Sequence, residues 1–152
     1  MPVTLFFESE LPVDPDVAWA WITSLDGISK ETRPILRMTA PRGMRALSST
    51  GFVPGVPMFR SWILLFGIVP VDWSDLTLVA MTPGAGFVEQ STMGSMRFWR
   101  HERRIQPTAG GCRIADTLTF EPKLGGRLVA WCVGRLFAHR HRMLVRHLGR
   151  AG

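Results

Sequence analysis

The stretch FWRHERRIQPTAGGCRIADTLTFEP, Phe98 to Pro122, decides what kind of fold this chain adopts. PTAGG in its middle is turn chemistry, because glycine supplies backbone angles that a tight reversal needs. On either side run residues rich in Trp, Phe, Ile and Thr, which pack well on a pleated surface. The spacing therefore predicts an antiparallel hairpin with strands over Met96 to Gln106 and Cys112 to Glu121. Successive side chains of a strand point to opposite faces, so each strand presents two sets. In the second strand Cys112, Ile114, Leu118 and Phe120 form one apolar set, and Asp116 falls in phase with them. Asp116 is expected to point inward unless a bulge turns it outward. In the first strand one set is Trp99, His101, Arg103 and Ile105, and the other is Met96, Phe98, Arg100, Glu102 and Arg104. Each set holds two large apolar members, so periodicity alone leaves the inward set of this strand open.

Outward from the hairpin, the elements follow one another in a simple order. Val3 to Glu10 alternates and reads as a first strand. DPDVAWAWITSLDG then starts a helix, with Asp14 as N-cap, Pro15 in the first turn and Asp16 at the positive end of the dipole. Val17, Ala18, Trp21, Ile22 and Leu25 make its apolar stripe, and Gly27 is expected to end it. A second short helix is expected over Ile28 to Thr32, before Pro34 interrupts the pattern. Arg37 to Pro57 is loop-like, punctuated by Pro41, Gly43, Gly51, Pro54, Gly55 and Pro57. Further strands are expected over Phe59 to Pro70, Leu76 to Thr82 and Phe87 to Met93. A long last helix spans Arg127 to Leu148 and stops at Gly149. This order is α+β, with helices on one face of a curved antiparallel sheet, read as one domain over residues 1–152.

The last helix carries an anomaly. At helical spacing Val129, Cys132, Val133, Leu136, Met143 and Leu144 share a face, with Phe137 and Leu148 at its edge. Arg140 falls in the middle of that face. A buried charge needs a partner, so Arg140 is expected to meet Asp116, Glu89 or an anionic group of a ligand, unless it reaches water past the end of the core.

Bulk properties narrow the function classes. A chain of 152 residues buries roughly 70% of the surface its unfolded form exposes, enough for a real core. With 46% hydrophobic and 20% charged residues it is globular in composition. The net charge of +6 sits in one segment, since residues 127–152 carry six arginines and no acid. The remaining twelve basic and twelve acidic groups balance, so no nucleic-acid partner is expected. Arg135, Arg142, Arg146 and Arg150 offer at most a weak contact to an anionic surface; a basic helix face is more often simply solvated. Cys112 and Cys132 are expected to be reduced core residues. The N-terminus shows no signal peptide, and WILLFGIVPV is about half the ~20 residues of a spanning helix, so a cytoplasmic protein without a transmembrane segment is expected. No nucleophile elbow, metal-ligand cluster or phosphate loop is present, and no cofactor is expected. His139 and His141, two apart on a helix, project apart and make a poor chelate.

Taken together, FWRHERRIQPTAGGCRIADTLTFEP, LPVDPDVAWAWITSLDGI, GIVPVDW and RLFAHRHRML resemble, in order, segments of the SRPBCC superfamily. These proteins are also called START-like or polyketide cyclase-like, and the resemblance is to bacterial ligand-binding members. It implies the helix-grip fold, a curved antiparallel sheet wrapped around a long C-terminal helix, with two short helices after the first strand. It further implies a deep apolar cavity between sheet and helix, with Trp99 and His101 facing inward beside Asp116. Arg103 stands where that pattern often has a second histidine or a neutral residue, so its direction stays open.

The candidate cavity wall comprises Trp62, Leu64, Phe66, Phe87, Trp99 and Leu118 from the sheet, with Val133, Leu136 and Phe137 from the helix. Glu89, His101, Asp116 and Arg140 are the groups expected to orient a polar end of the ligand. The expected function is binding of a hydrophobic small molecule by a monomer or homodimer, as a carrier, sensor or chaperone. The alternative is a cyclase, aromatase or dehydratase acting on a polyketide-like substrate. There His101 would act as general base, with Asp116 setting its tautomer.

Overall fold

The two strands of the deciding stretch form the longest hairpin of the sheet. β7 (Met96–Thr108) and β8 (Gly111–Pro122) pair antiparallel through the predicted Gly-Gly turn. Our computed structural model describes residues 2–47 and 53–149; Gly51 and Arg150 lie outside the described residues. The other strands are β1 (Val3–Leu11), β2 (Leu36–Met38), β3 (Pro57–Leu65), β4 (Val69–Thr82), β5 (Gly86–Gln90) and β6 (Thr92–Met93). Among the described residues they form one sheet in the order β1-β8-β7-β5-β4-β3-β2, with β6 paired to β4. The helices are α1 (Pro15–Thr23), α2 (Leu25–Thr32) and α3 (Gly126–Leu148). The sheet curls around α3, which gives the helix-grip α+β fold.

Register aligns the inward residues in rows across the strands. His101 lies opposite Leu118 and Glu89, while Arg103 lies opposite Asp116 and Phe87. Ile105 lies opposite Ile114 in the next row. The inward set of β7 is therefore Trp99, His101, Arg103 and Ile105. Arg103, whose direction was open in the sequence, faces inward and is 0% exposed. Ile105 and Ile114 belong to one apolar cluster with Leu11, Ile22, Phe87 and Leu144; Leu118 and Phe120 belong to a second with Met96 and Phe137. The row of Arg103 and Asp116 stands between them.

Several element boundaries differ from the sequence reading for identifiable reasons. α1 ends at Thr23 and Ser24 caps α2, its Oγ accepting from the Gly27 amide at 2.9 Å. The second helix thus begins three residues earlier than expected, which puts Gly27 and Glu31 on its buried face. The run Phe59 to Pro70 is not one strand: Phe66 and Gly67 both adopt positive φ, 54° and 80°, within the three-residue turn 66–68 between β3 and β4. Phenylalanine rarely takes that conformation, so only Gly67 signalled the turn. The expected Phe87–Met93 strand divides at Ser91, whose hydroxyl accepts from the Thr77 amide at 3.0 Å beside an irregularity in the β4–β5 register. β2 falls at the start of the stretch read as loop.

The face of α3 also requires correction. Its buried residues are Phe137, Arg140, His141 and Leu144, spaced as one helical stripe. Phe137, placed at the edge by the sequence, lies at the centre, and Met143 is only partly buried. Cys132 is exposed, not a core residue, whereas Cys112 is buried as expected. The cause is that the N-terminal half of α3 overhangs an open cavity, so a stripe drawn along the whole helix mixes packed with unpacked positions. No helix among the described residues is long and apolar enough to cross a membrane.

Gly86 is where the β5 backbone approaches β7 most closely. Its φ is 149°, and a β-carbon there would lie 2.2 Å from the carbonyl oxygen of Arg103. Gly86→Ala is expected to lower stability by about 1–3 kcal/mol through backbone strain. Urea denaturation measures this, and an unchanged midpoint would refute the close approach.

Candidate functional site

Two acids, two arginines and two histidines meet under α2 and α3. Arg103 Nε and Nη2 donate to Asp116 at 2.8 and 2.9 Å. Its Nη1 and Nη2 donate to Glu31 of α2 at 3.1 and 2.9 Å. The guanidinium is thus bidentate to two carboxylates at once, the geometry for which arginine's planar fork is suited. Arg103, Asp116 and Glu31 are each 0% exposed. Asp116 also faces His101 Nε2 and His141 Nε2, both at 2.6 Å. Glu31 also accepts from Trp21 Nε1 at 3.1 Å and Arg140 Nε at 3.2 Å. Each carboxylate therefore meets four donor groups.

This environment fixes protonation. Burial alone pushes the Asp116 carboxyl up, but Arg103 and the two histidines hold it well below the usual carboxylate range. Glu31 is likewise held down by Arg103 and Arg140 against burial. The two carboxylates raise Arg103 against the desolvation that lowers it. Arg140 is lowered, chiefly because burial penalises its charge. An ionised Asp116 is only an acceptor, so both histidines place an Nε2–H on it. His141 Nδ1 then meets the Ser9 hydroxyl at 2.7 Å. His101 Nδ1 faces Glu89 Oε1 at 3.8 Å, too far for a direct hydrogen bond. The edges of Phe87 and Phe137 confine the His101 ring.

Beside this network lie two chambers that share part of their lining. The larger, about 530 Å³, is walled by Ile63, Leu65, Met93, Met96 and Trp99 of the sheet and by Val129, Val133, Leu136 and Phe137 of α3. The smaller, about 100 Å³, lies against α2 among Leu25, Ile28, Leu47, Phe59, Leu76 and Phe87. Thr32, Met38, Glu89, His101 and Arg140 line both chambers and form the waist between them. Val71, Leu128, Trp131 and Cys132 form an apolar mouth to the larger chamber.

The sequence-derived candidates divide accordingly. Glu89, Trp99, His101, Val133, Leu136, Phe137 and Arg140 line the larger chamber, and Phe87 lines the smaller. Asp116 and Leu118 face inward but lie wholly buried behind the wall. Trp62, Leu64 and Phe66 are not in the wall; Trp62 and Phe66 are 46% and 68% exposed. The inward set of β3 is Phe59, Ser61 and Ile63, and Trp62 pairs with Trp73 instead. Both faces of SWILLF carry large apolar groups, so alternation could not discriminate, and the inward serine argued for the wrong set. Arg140 bonds Glu31 rather than Asp116 or Glu89. Glu31 and His141 were missed, although Phe137, His141 and Leu144 stand at i, i+4 and i+7. His139 and His141 do project apart: His139 Nε2 donates to the Arg33 carbonyl at 2.6 Å.

The network makes two measurable predictions. Both carboxyls are depressed below their unfolded values of about 3.9 and 4.3, so their stabilisation is complete above about pH 5 and is lost as pH falls through the folded values. The melting temperature should drop on acidification below about pH 4, and Glu31→Gln should start lower at neutral pH with a shallower acid slope. Arg103→Met leaves two buried carboxylates without their shared cation and should cost about 3–5 kcal/mol in urea denaturation. A wild-type midpoint would rule out the network as a stabilising feature.

A family described as a domain of unknown function, DUF8410, matches residues 9–148. No curated protein matches in sequence. Among solved structures, the Zhui aromatase/cyclase of a Streptomyces species superposes with a TM-score of 0.69 at 8% identity, covering 97% of this chain and 94% of its own. A START superfamily protein from Mycobacterium smegmatis gives 0.64 at 10% identity, covering 97% and 96%. An AHSA1 protein from Silicibacter pomeroyi gives 0.64 at 15% identity, covering 96% and 97%. At these identities the likeness is one of fold. With its curled sheet closed on α3, the chain belongs to the DUF8410 family and carries the helix-grip fold of the START-like SRPBCC superfamily.

Proposed function

We propose that the protein binds a hydrophobic small molecule in these chambers, as a carrier, sensor or chaperone for it. The observation that carries this reading is the larger chamber itself. Its volume of about 530 Å³ lies within the range of drug-sized ligand sites, and its wall is mostly apolar with a few convergent polar groups. Three of those polar groups, His101, Glu89 and Arg140, sit together at the waist and would orient one end of a ligand. Likeness to a START superfamily protein supports the same reading.

One observation favours a second reading, an enzyme of cyclase, aromatase or dehydratase type. His101 Nε2 is anchored 2.6 Å from Asp116, and its Nδ1 is directed toward Glu89 at the waist. An imidazole oriented by a carboxylate and open at its other nitrogen is suited to take up a proton from a substrate. The fold shared with an aromatase/cyclase is compatible with such chemistry.

Native mass spectrometry of gently purified protein should reveal added small-molecule mass. Val133→Trp, which fills the chamber, should weaken binding of an apolar fluorescent probe by at least about tenfold, ~1.4 kcal/mol. Unchanged affinity in that variant would move the site elsewhere. For the enzymatic reading, wild-type protein should convert a linear poly-β-ketone mimic. His101→Gln should lose about 10²–10⁴-fold in turnover while still binding. Absence of turnover by the wild type would eliminate that reading and leave the binder.

A further inference from the structure

Two hydroxyls on the cavity wall have no hydrogen-bond partner among the described residues, Ser61 Oγ and Ser74 Oγ. Each serine is 1% exposed. They are direct neighbours, because the β3–β4 register sets Ser61 opposite Ser74. Ser61 lines the smaller chamber and Ser74 the larger, so the pair straddles the division between them. A buried hydroxyl without a partner is destabilising, and alanine at either position would avoid that loss. Other polar groups of the waist each have at least one contact within the protein. Glu89 Oε2 accepts from Ser91 at 2.7 Å, Arg140 Nε sits on Glu31, and His101 Nε2 sits on Asp116.

The same waist also presents acceptors. With its Nε2–H on Asp116, a neutral His101 ring offers the Nδ1 lone pair, and Glu89 Oε1 stands 3.8 Å away. The two atoms face each other across a gap that a donor could serve. The walls of the two chambers therefore hold two hydroxyls without partners among the described residues and, at the waist, two acceptors without a donor between them. A carbonyl or ether oxygen would answer only the serines. An anion would meet Glu89, and an ammonium would meet Arg140. A neutral hydroxyl both donates and accepts, and it alone of these groups answers both sets.

We propose that the waist and the Ser61–Ser74 pair flanking it form a specificity subsite for a hydroxyl carried on an otherwise apolar ligand, with the two serines as its selective elements. Ser61 and Ser74 donate to the ligand oxygen, and the His101–Glu89 gap accepts its proton side. The inference rests on the binding reading above and names the ligand class for that site: apolar alcohols or phenols, recognised by one hydroxyl at the waist.

Calorimetric titration with 9-phenanthrol and with phenanthrene, on wild-type protein and a Ser61→Ala/Ser74→Ala double variant, tests it. The wild type should prefer the phenol by about tenfold or more. The double variant should lose that preference while keeping its phenanthrene affinity, and its ligand-free melting temperature should be unchanged or higher. Equal wild-type affinity for both probes would overturn the subsite and leave the binding reading intact. Preference retained in the double variant would overturn the role of the serines, as when they satisfy each other by rotating their hydroxyls. If neither probe bound the wild type, the binding reading would fall and the subsite with it.

Discussion

A single buried guanidinium organises this molecule. Arg103 uses four of its five N–H groups on two carboxylates that come from different layers, Asp116 from the sheet and Glu31 from α2. Neither acid is exposed, so both depend on the same cation for their charge to be tolerable in the interior. α2 is thereby tied to the concave face of the sheet by a directional contact rather than by apolar packing alone. α3 joins the same network through His141 on Asp116 and Arg140 on Glu31. Energetically, well-packed apolar residues of similar volume often replace such ionic clusters without loss. What apolar residues would not supply is direction: the network sets which nitrogen of His101 is anchored and which faces the cavity.

That ionic row also divides the interior. Ile105, Ile114 and Leu144 pack on the side of α1, while Leu118, Phe120 and Phe137 pack on the other. Past Phe137, toward the N-terminus of α3, Val129, Val133 and Leu136 are only partly buried; they pack against the second cluster and line the larger chamber. The larger chamber is therefore space left between the first half of α3 and the sheet. Glu89, His101 and Arg140 cluster at the waist because the waist borders the network. Glu89 and His101 share one cross-strand row, and Arg140 descends from the helix above.

Much of this was legible in residue order. The turn chemistry of PTAGG, the apolar phase of Ile114, Leu118 and Phe120, and the helix start at Pro15 each reflect local constraints that act over a few residues, although Asp14 stands at the N-cap position without a side-chain cap hydrogen bond. They point to a hairpin and a helix, and to an inward Asp116 unless a bulge turns it outward. Arg140 was identifiable as anomalous for the same reason, since a helical stripe is a local property. Its partner was not, because Glu31 lies more than a hundred residues away and a carboxylate on a short polar helix looks like any solvated one. Trp62 and Phe66 were misplaced because SWILLF has large apolar groups on both faces, so its parity is set by pairing with β4 and not by its own pattern.

The sequence by itself determined the first strand, the β7–β8 hairpin, the helices and their order, and the presence of polar residues in the inward phase of β8 and on the packed face of α3, but not β2 or the division of the middle strands. Only the tertiary structure decided that Arg103 turns inward, that Glu31 and His141 complete its network, and that Ser61 and Ser74 stand unpaired on the cavity wall. The physical reason is range. Turn geometry, capping and periodicity are written in neighbouring residues, whereas the pairing of buried charges and the shape of unfilled space depend on which distant surfaces the fold brings together.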